Sequence, residues 1–443
     1  MNSDTQPKLR RVLGWRDAAA VLIGITIGAG IFAVPQEIAR NMESFNQIIW
    51  LWIGAGAFCV ISCMVYAELG TRLPNTGGEY VYINRAYGPF TGFMFGWSQL
   101  LIVRTSNVAG LSLVTVAYLE YIVELGPWQE TAMAIAIVAA IGLLNYTGIQ
   151  RASVYQKFSA ITKVLGLLLL VLVGLSMLPG QENHLADTAT STGGRGFLGN
   201  TAESLLLVLF AMIGWERVGY VAGELKNPRR SIPKAIFVGF GIVMVVYLGI
   251  NLVYHQVLGI ELIRASNRVG VELAQVLFGP VGAVLIAVVV MISATGSING
   301  TAMAAPRLYY AMARDGLFFR WLNFVHPRFR TPSRAVVLHC IWGVCLLFLR
   351  GSFENIATGM IFVVLIVYGL QTAALMIFRH RNTGDPAAWS MPGYPYLPIL
   401  FLLGTIALLS VRMYFNWQQS LIDLAFVITG LPVAWFFFRG KPK

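Results

Sequence analysis

Long apolar stretches alternate with short polar segments along the whole chain. Even the shortest of these stretches approach the ~20 residues that an α-helix needs to cross a lipid bilayer. Several are clearly longer, so we expect tilted or broken helices among them. The pattern predicts twelve membrane-spanning helices, near residues 17–44, 47–70, 88–119, 130–148, 156–178, 199–224, 234–257, 279–313, 334–350, 353–378, 395–415 and 418–438.

The overall composition agrees with a membrane protein and excludes two other classes. Hydrophobic residues make up 57% of the chain and charged residues only 12%, a balance that neither a soluble globular protein nor a disordered chain has. The polar, basic start of the chain is followed by an apolar stretch that is too long for the core of a cleavable signal peptide. We therefore predict an all-α polytopic membrane protein that forms one transmembrane domain over residues 1–443.

The net charge of +12 could indicate a nucleic-acid partner, but the positions of the basic residues argue against one. Most of the 32 lysines and arginines fall in alternate loops, such as 226–234 and 314–334, whereas the loop 120–130 contains none. Basic residues of polytopic proteins collect in cytoplasmic loops. The pattern therefore predicts a multi-pass protein of the plasma (inner) membrane with both termini in the cytoplasm, surrounded by lipid and bound to no nucleic acid.

The first span is interrupted by glycines near its middle. Gly24, Gly28 and Gly30 fall close together, and each costs on the order of 1 kcal/mol in a helix relative to alanine. The backbone groups that a break exposes need partners, because lipid offers none. We interpret Gly28-Ala29-Gly30 as a break at the bilayer midplane, where the half-helix that begins near Ile31 directs its positive end at an anion such as a carboxylate. The alternative is that the glycines only let helices pack closely.

Span 6 carries a second interruption. Gly214 and Gly219 flank two charged residues, Glu216 and Arg217, and charges inside a span are costly. Spans 1 and 6 are five helices apart, so they start on opposite faces of the membrane. Matching breaks at the start of two inverted halves indicate a substrate site at the midplane. The two repeats would cover about residues 15–178 and 199–378, followed by two appended helices at about 395–438.

Four stretches of the chain carry motifs that together are specific, and they occupy residues 28–32, 66–88, 223–233 and 304–316. They begin with Gly28-Ala29-Gly30-Ile31-Phe32 and end with an Ala-Arg-Asp-Gly sequence at 313–316. In this order they resemble the amino acid–polyamine–organocation (APC) superfamily of transporters. The similarity is greatest to its amino acid permeases, including bacterial relatives of the L-type amino acid transporters.

The resemblance implies a five-plus-five inverted-repeat fold with broken helices 1 and 6 and with spans 11 and 12 appended. It also implies a substrate amino acid between the two breaks, with its carboxylate on exposed amides of span 1 and its α-ammonium on exposed carbonyls of both spans. Exposed amides favour an anion and exposed carbonyls favour a cation, so a zwitterion matches both. Some relatives have a serine in place of Ala29, and that hydroxyl contact is missing here. The implied substrate-binding residues are Thr26, Ile27, Gly28, Ala29 and Gly30 in span 1 and Phe210, Ile213 and Gly214 in span 6.

Three charged residues inside spans are candidates for coupling or gating. Lys163 matches a position that carries a cation in sodium-independent members of the superfamily. The resemblance implies that this cation replaces a sodium ion and ties span 5 to span 1. The alternative is a lysine whose ammonium reaches the membrane surface. Glu216 would line the cavity, gate it or carry a proton, or it would cap unwound amides. Arg104 would reach the cavity or belong to a structural ion pair, and we favour the ion pair. For Arg217 the expected partner is Glu37 or Glu203.

The sequence gives little support to an enzyme or a metalloprotein. Its five histidines are scattered without metal-ligand spacing, and it has no P-loop and no nucleophile-and-base arrangement. We therefore expect no metal, no cofactor and no enzymatic activity. The cysteines at 59, 63, 340 and 345 lie inside spans, so we expect reduced thiols and no disulfide-linked subunit.

These observations predict a secondary active transporter for amino acids that works by alternating access, as an exchanger or a proton symporter. No acidic cluster in the predicted site calls for a cationic substrate, which favours neutral L-amino acids. The alternatives are a carrier of polyamines or cationic amino acids with the same fold, a channel, and a membrane protein without transport activity. A channel is disfavoured because inverted breaks suit alternating access, whereas channels usually have a symmetric or repeated filter.

Overall fold

The protein is helical throughout the part that the structure, a computed structural model, describes: residues 14–73, 78–177, 184–218, 225–383 and 389–438. Within these ranges twelve helical segments are long and apolar enough to cross a membrane, which confirms the predicted all-α polytopic membrane protein. Spans 1 to 12 are Trp15–Ala33, Phe45–Arg72, Pro89–Leu119, Pro127–Thr147, Ile149–Met177, Gly196–Val218, Pro228–Ala265, Val269–Arg314, Ser333–Arg350, Phe353–His380, Tyr396–Phe415 and Trp417–Phe438.

Spans 7 and 8 are longer than the apolar pattern predicts. The apolar runs indicated an end near residue 257 and a start near residue 279, but helix continues beyond both points. Gly259 has a φ of 68° and Gly279 a φ of 72°, a left-handed conformation that glycine adopts without steric cost. The chain therefore changes direction at each glycine, and span 7 stays helical after Gly259 as span 8 is helical before Gly279. These extensions contain polar residues, so the apolar pattern does not mark them as part of a span.

The spans around the two breaks are packed closely together. Span 8 packs against spans 3 and 5, and span 7 packs against spans 1 and 2. A Cβ atom on Gly296 of span 8 would lie 1.6 Å from the Ser159 Oγ of span 5, so this contact needs glycine. The close approach of helices at small residues is the usual way in which membrane helices associate.

The second motif, at 66–88, contributes a buried carboxylate that joins two distant spans. Glu68 near the end of span 2 accepts a hydrogen bond from Arg72 Nε at 2.9 Å and another from Arg379 Nε at 2.8 Å. The backbone amide of Met391 donates to the same carboxylate at 2.8 Å. These bonds fix the end of span 10 to the end of span 2. Residues 74–77 of the motif lie outside the described residues.

A second buried charge cluster joins the two last spans to the rest of the bundle. Asp423 of span 12 lies 2.8 Å from Arg350 of span 9 and 2.8 Å from Arg412 of span 11. Glu203 of span 6 lies 4.0 Å from Arg412. The four side chains are 2% exposed or less, so their charges are neutralised by one another and not by water. We name this set of four residues the Asp423 cluster.

Candidate functional site

Span 1 is broken where the glycine pattern predicts. Its first helix, Trp15–Thr26, ends at Ile27, which has an extended conformation, and helix resumes with the short segment Gly30–Ala33. Between them, the amides of Ala29 and Gly30 donate to no acceptor among the described residues. Unpaired amides are costly in a membrane unless a ligand or water accepts from them.

Span 6 is broken in a matching way. Its helix Gly196–Met212 ends at Ile213, which is extended, and Gly214 follows with a φ of 132°. The Gly214 amide donates to Glu216 Oε2 at 2.9 Å, and the Tyr368 hydroxyl lies 3.4 Å from the same oxygen. In this conformation Glu216 therefore caps an unwound amide, which is one of the roles that the sequence left open. The third motif begins at Gly223, which lies outside the described residues.

The glycines of the two breaks also allow close packing, so the two interpretations of their role are compatible. A Cβ atom on Gly30 would lie 3.0 Å from the Ala211 Cα, and a Cβ atom on Gly214 would lie 3.1 Å from the Thr26 Cα. Both distances are shorter than the 3.5–4.0 Å optimum for two carbon atoms. Each break therefore rests against the backbone of the other.

Tyr247 of span 7 joins the two breaks, and sequence reasoning missed it. Its hydroxyl lies 2.8 Å from the Thr26 carbonyl oxygen and 3.1 Å from the Ala211 carbonyl oxygen. The side chain is fully buried. A single buried tyrosine among the 17 of this chain carries no signal in the sequence, because its role depends on where span 7 crosses spans 1 and 6.

A cavity of about 1060 Å³ adjoins the breaks. It extends along span 1 from Ala20 to Gly30, and along the first half of span 5 and the last third of span 8. Of the residues singled out in the sequence, Ile27, Gly214, Glu216 and Arg104 are outside its lining. Those that line it are Gly24, Thr26, Gly28, Ala29, Gly30, Phe210, Ile213, Lys163 and Arg217.

Lys163 is buried at the wall of this cavity. Only 1% of the residue is exposed, and among the described residues its ammonium has no hydrogen bond and no ion pair. A hydrogen bond from Lys163 that would tie span 5 to span 1, as the resemblance implies, is therefore not formed in this conformation. Lys163 and the span 1 residues Ile25, Thr26 and Gly28 all line this cavity.

Arg104 lies in a buried ion pair and not in the cavity lining. Its guanidinium is 3.1 Å from Glu79 Oε2, and the Gln371 amide donates to the other oxygen of Glu79 at 3.1 Å. Glu79 belongs to the motif at 66–88, so this pair joins spans 3 and 10 to that motif. An ion pair is one of the two arrangements of Arg104 that the sequence left open.

The partner expected for Arg217 is wrong. Its Nε lies 3.8 Å from Glu216 Oε1, the neighbouring residue. Glu37 pairs instead with Arg40 at 3.1 Å, and Glu203 belongs to the Asp423 cluster. The chain is unwound at Gly214, just before these two neighbouring residues.

The polar lining residues that were not singled out as site residues include Asn107, Ser297 and Thr301. The Thr301 hydroxyl of span 8 donates to Asn107 Oδ1 of span 3 at 2.8 Å, and Ser297 lies one turn before Thr301 on the same face. Asn107 is 194 residues from Thr301, so no local pattern connects them. A serine and a threonine one turn apart in an apolar helix are too common to mark a site.

The chain matches known proteins over nearly its whole length. A family model described as amino acid permease matches residues 13–435. The serine/threonine exchanger SteT of Bacillus subtilis (strain 168) is 28% identical over 96% of each chain. The human cystine/glutamate transporter is 27% identical over 98% of this chain and 87% of its own. The human large neutral amino acids transporter small subunit 2 is 28% identical over 98% of this chain and 82% of its own.

Proposed function

The chain belongs to the amino acid permease family, and from this premise we propose that it moves neutral L-amino acids by alternating access, as an exchanger or a proton symporter. Members and relatives of this family are transporters, so the protein is a permease and not an enzyme. The observation that carries the proposal is the pair of unpaired amides, Ala29 and Gly30, at the wall of a large cavity. Amides in that position bind a carboxylate well.

The α-ammonium of the substrate would bind carbonyl oxygens of the breaks. The Tyr247 hydroxyl already lies within hydrogen-bond distance of the carbonyl oxygens of Thr26 and Ala211. We therefore favour the carbonyls of Phe210 and Ile213, two residues that line the cavity. Carboxylate and ammonium would then contact span 1 and span 6 respectively, so one substrate would join the two breaks.

A carrier of polyamines or cationic amino acids is the second candidate, and the charge of the cavity argues against it. The charged residues in the described lining are Lys157, Lys163, Arg217 and Arg307, all of them basic. A cleft lined by one sign of charge repels ligands of that sign. A cationic side chain would therefore be disfavoured relative to a neutral one.

The protein is a multi-pass membrane protein, and we propose that it lies in the plasma (inner) membrane with both termini in the cytoplasm. The distribution of basic loops supports this orientation. In that orientation the cavity extends toward the cytoplasm. All four cysteines are free thiols inside spans, so we propose that the protein acts without a disulfide-linked subunit.

Transport by purified protein in liposomes tests the proposed function. Liposomes loaded with an unlabelled neutral amino acid should take up the labelled one faster than empty liposomes if the protein exchanges substrates. Uptake into empty liposomes should rise with an inward proton gradient if it is a proton symporter. Uptake of lysine or a polyamine alone would favour the second candidate, and no uptake beyond that of protein-free liposomes would contradict both.

Replacement of sodium by choline should leave uptake unchanged. Lys163 is buried at the wall of the cavity that span 1 also lines, and we propose that its ammonium supplies the positive charge that a sodium ion would otherwise supply. The measurement is the initial rate of neutral amino acid uptake in the two salts at equal ionic strength. A clear loss of uptake in choline would contradict the role of Lys163 as a replacement for sodium.

Lys163→Ala should slow turnover much more than it weakens substrate binding. When the cavity closes, we propose that the Lys163 ammonium donates to span 1 carbonyls near residues 25–28 and holds the closed state. A hydrogen bond of a charged group is worth about 1.5–3 kcal/mol, so exchange should slow by roughly tenfold or more. Equilibrium binding in detergent and exchange in liposomes are measured on the same variant.

Lys157→Ala is the matched control, because Lys157 lines the same cavity on the same span but is exposed. We expect its exchange rate to stay near that of the unmodified protein. Lost binding with a normal rate at saturation would make Lys163 a substrate ligand instead. Unchanged binding and rate would make it a lysine without a role in transport.

A further inference from the structure

Asn107, Ser297 and Thr301 form a polar patch on the cavity wall opposite span 1. A Cβ atom on Gly28 would lie 3.4 Å from Ser297 Oγ, so the Ser297 hydroxyl faces the span 1 break directly. Thr301 follows one helical turn later and contacts Asn107 at 2.8 Å. The patch therefore begins beside the proposed carboxylate site and lies within reach of the first atoms of a substrate side chain.

The hydrogen bonds inside the patch fix which groups remain for a ligand. The Ser297 hydroxyl donates to the Ser293 carbonyl at 3.0 Å, so Ser297 Oγ is left as an acceptor. The Thr301 hydroxyl lies 2.8 Å from Asn107 Oδ1 and 3.1 Å from the Ser297 carbonyl oxygen, and the shorter contact directs the oxygen of the Asn107 amide toward Thr301 and its nitrogen away from it. That nitrogen makes no hydrogen bond with the described residues, so its two hydrogens remain as donors.

A free donor and a free acceptor on the wall of one cavity match one small functional group. A hydroxyl accepts one hydrogen bond and donates another, so it satisfies Asn107 Nδ2 and Ser297 Oγ together. A carboxylate would satisfy only the donor, and an ammonium only the acceptor. An aliphatic side chain would leave both groups without partners. An unpaired polar group that is buried costs free energy, so such a substrate is disfavoured.

We propose that Asn107 and Ser297 bind the side-chain hydroxyl of the substrate, so that the protein selects serine and threonine among the neutral amino acids. This inference rests on the proposed function and specifies its substrate class. The cavity, at about 1060 Å³, is much larger than any amino acid, so size alone cannot supply this selectivity. Directed hydrogen bonds reject an analogue that lacks the bonding group far more strongly than a loose apolar pocket rejects one of the wrong size.

Threonine and valine provide the test, because they have nearly the same shape and differ by the hydroxyl. In liposomes containing the unmodified protein, kcat/KM for threonine should exceed that for valine by about tenfold or more. Asn107→Leu and Ser297→Ala should each bring this ratio close to one. Asn107→Asp, which removes the donors and keeps the size, should lower the ratio as Asn107→Leu does.

Thr115→Val is the matched control on span 3. Thr115 is buried two turns beyond Asn107, its hydroxyl bonds to the Leu111 carbonyl at 2.8 Å, and it is outside the cavity lining. We expect its threonine-to-valine ratio to equal that of the unmodified protein. A loss of the ratio in this control would show that any change in span 3 alters selectivity, and would overturn the role of Asn107.

The inference and the proposed function fail in different ways. If the unmodified protein transports threonine and valine equally well, the proposed function stands and the hydroxyl site is wrong. If the ratio persists in both Asn107→Leu and Ser297→Ala, selectivity arises elsewhere and the assignment is likewise wrong. If no amino acid is transported, the proposed function itself fails.

Discussion

Gly30→Val is expected to abolish substrate binding and transport. A Cβ atom at this position would lie 3.0 Å from the backbone Cα of Ala211, and valine would add two further carbon atoms. Neither backbone can yield without separating spans 1 and 6 or displacing the amides of Ala29 and Gly30. Both effects disrupt the proposed carboxylate site, and carbon atoms this close repel each other.

Binding and uptake of a neutral amino acid would be measured for Gly30→Val, together with its elution as a single species in detergent to establish folding. Gly54→Val is the matched control, because a Cβ atom on Gly54 would meet no atom within 4 Å. That variant should bind and transport normally. Normal affinity in a folded Gly30→Val protein would refute the placement of the substrate at this break.

Asp423→Ala is expected to cause a large loss of stability. The substitution leaves Arg350 and Arg412 without the carboxylate that lies 2.8 Å from each, and both guanidinium groups are buried. Breaking a buried ion pair by removing one partner typically costs 3–5 kcal/mol, because the remaining charge is uncompensated. The Asp423 cluster also holds spans 11 and 12 to span 9, so we expect the appended helices to loosen first.

Thermal unfolding in detergent, followed by the loss of monodisperse protein, would measure this effect. Glu261→Ala is a suitable control, since it also removes a carboxylate from an arginine, Arg264, at 3.5 Å. The Glu261 side chain is 71% exposed, and an exposed pair contributes about 1 kcal/mol or less. Equal unfolding temperatures for the two variants would contradict a stabilising role of the cluster.

The breaks were predictable from sequence because membrane helices follow a strict rule. Backbone groups inside a bilayer must be paired, so glycines and charges in the middle of an apolar span indicate a deliberate interruption. Gly28 to Gly30 and Gly214 fulfil this rule in the structure. The continuation of span 7 beyond Gly259 and the start of span 8 before Gly279 were not predictable to the same degree, because a helix that leaves the lipid no longer needs apolar residues.

The sequence by itself determined the number of spans, their approximate positions and the two breaks, since these depend on local hydrophobicity and on the cost of unpaired backbone groups. Only the tertiary structure decided which groups meet across spans: Tyr247 with both breaks, Asn107 with Thr301, and Asp423 with two arginines. Such contacts depend on how each helix is rotated and tilted against its neighbours. Those angles arise from the packing of all spans together, so no single stretch of sequence records them.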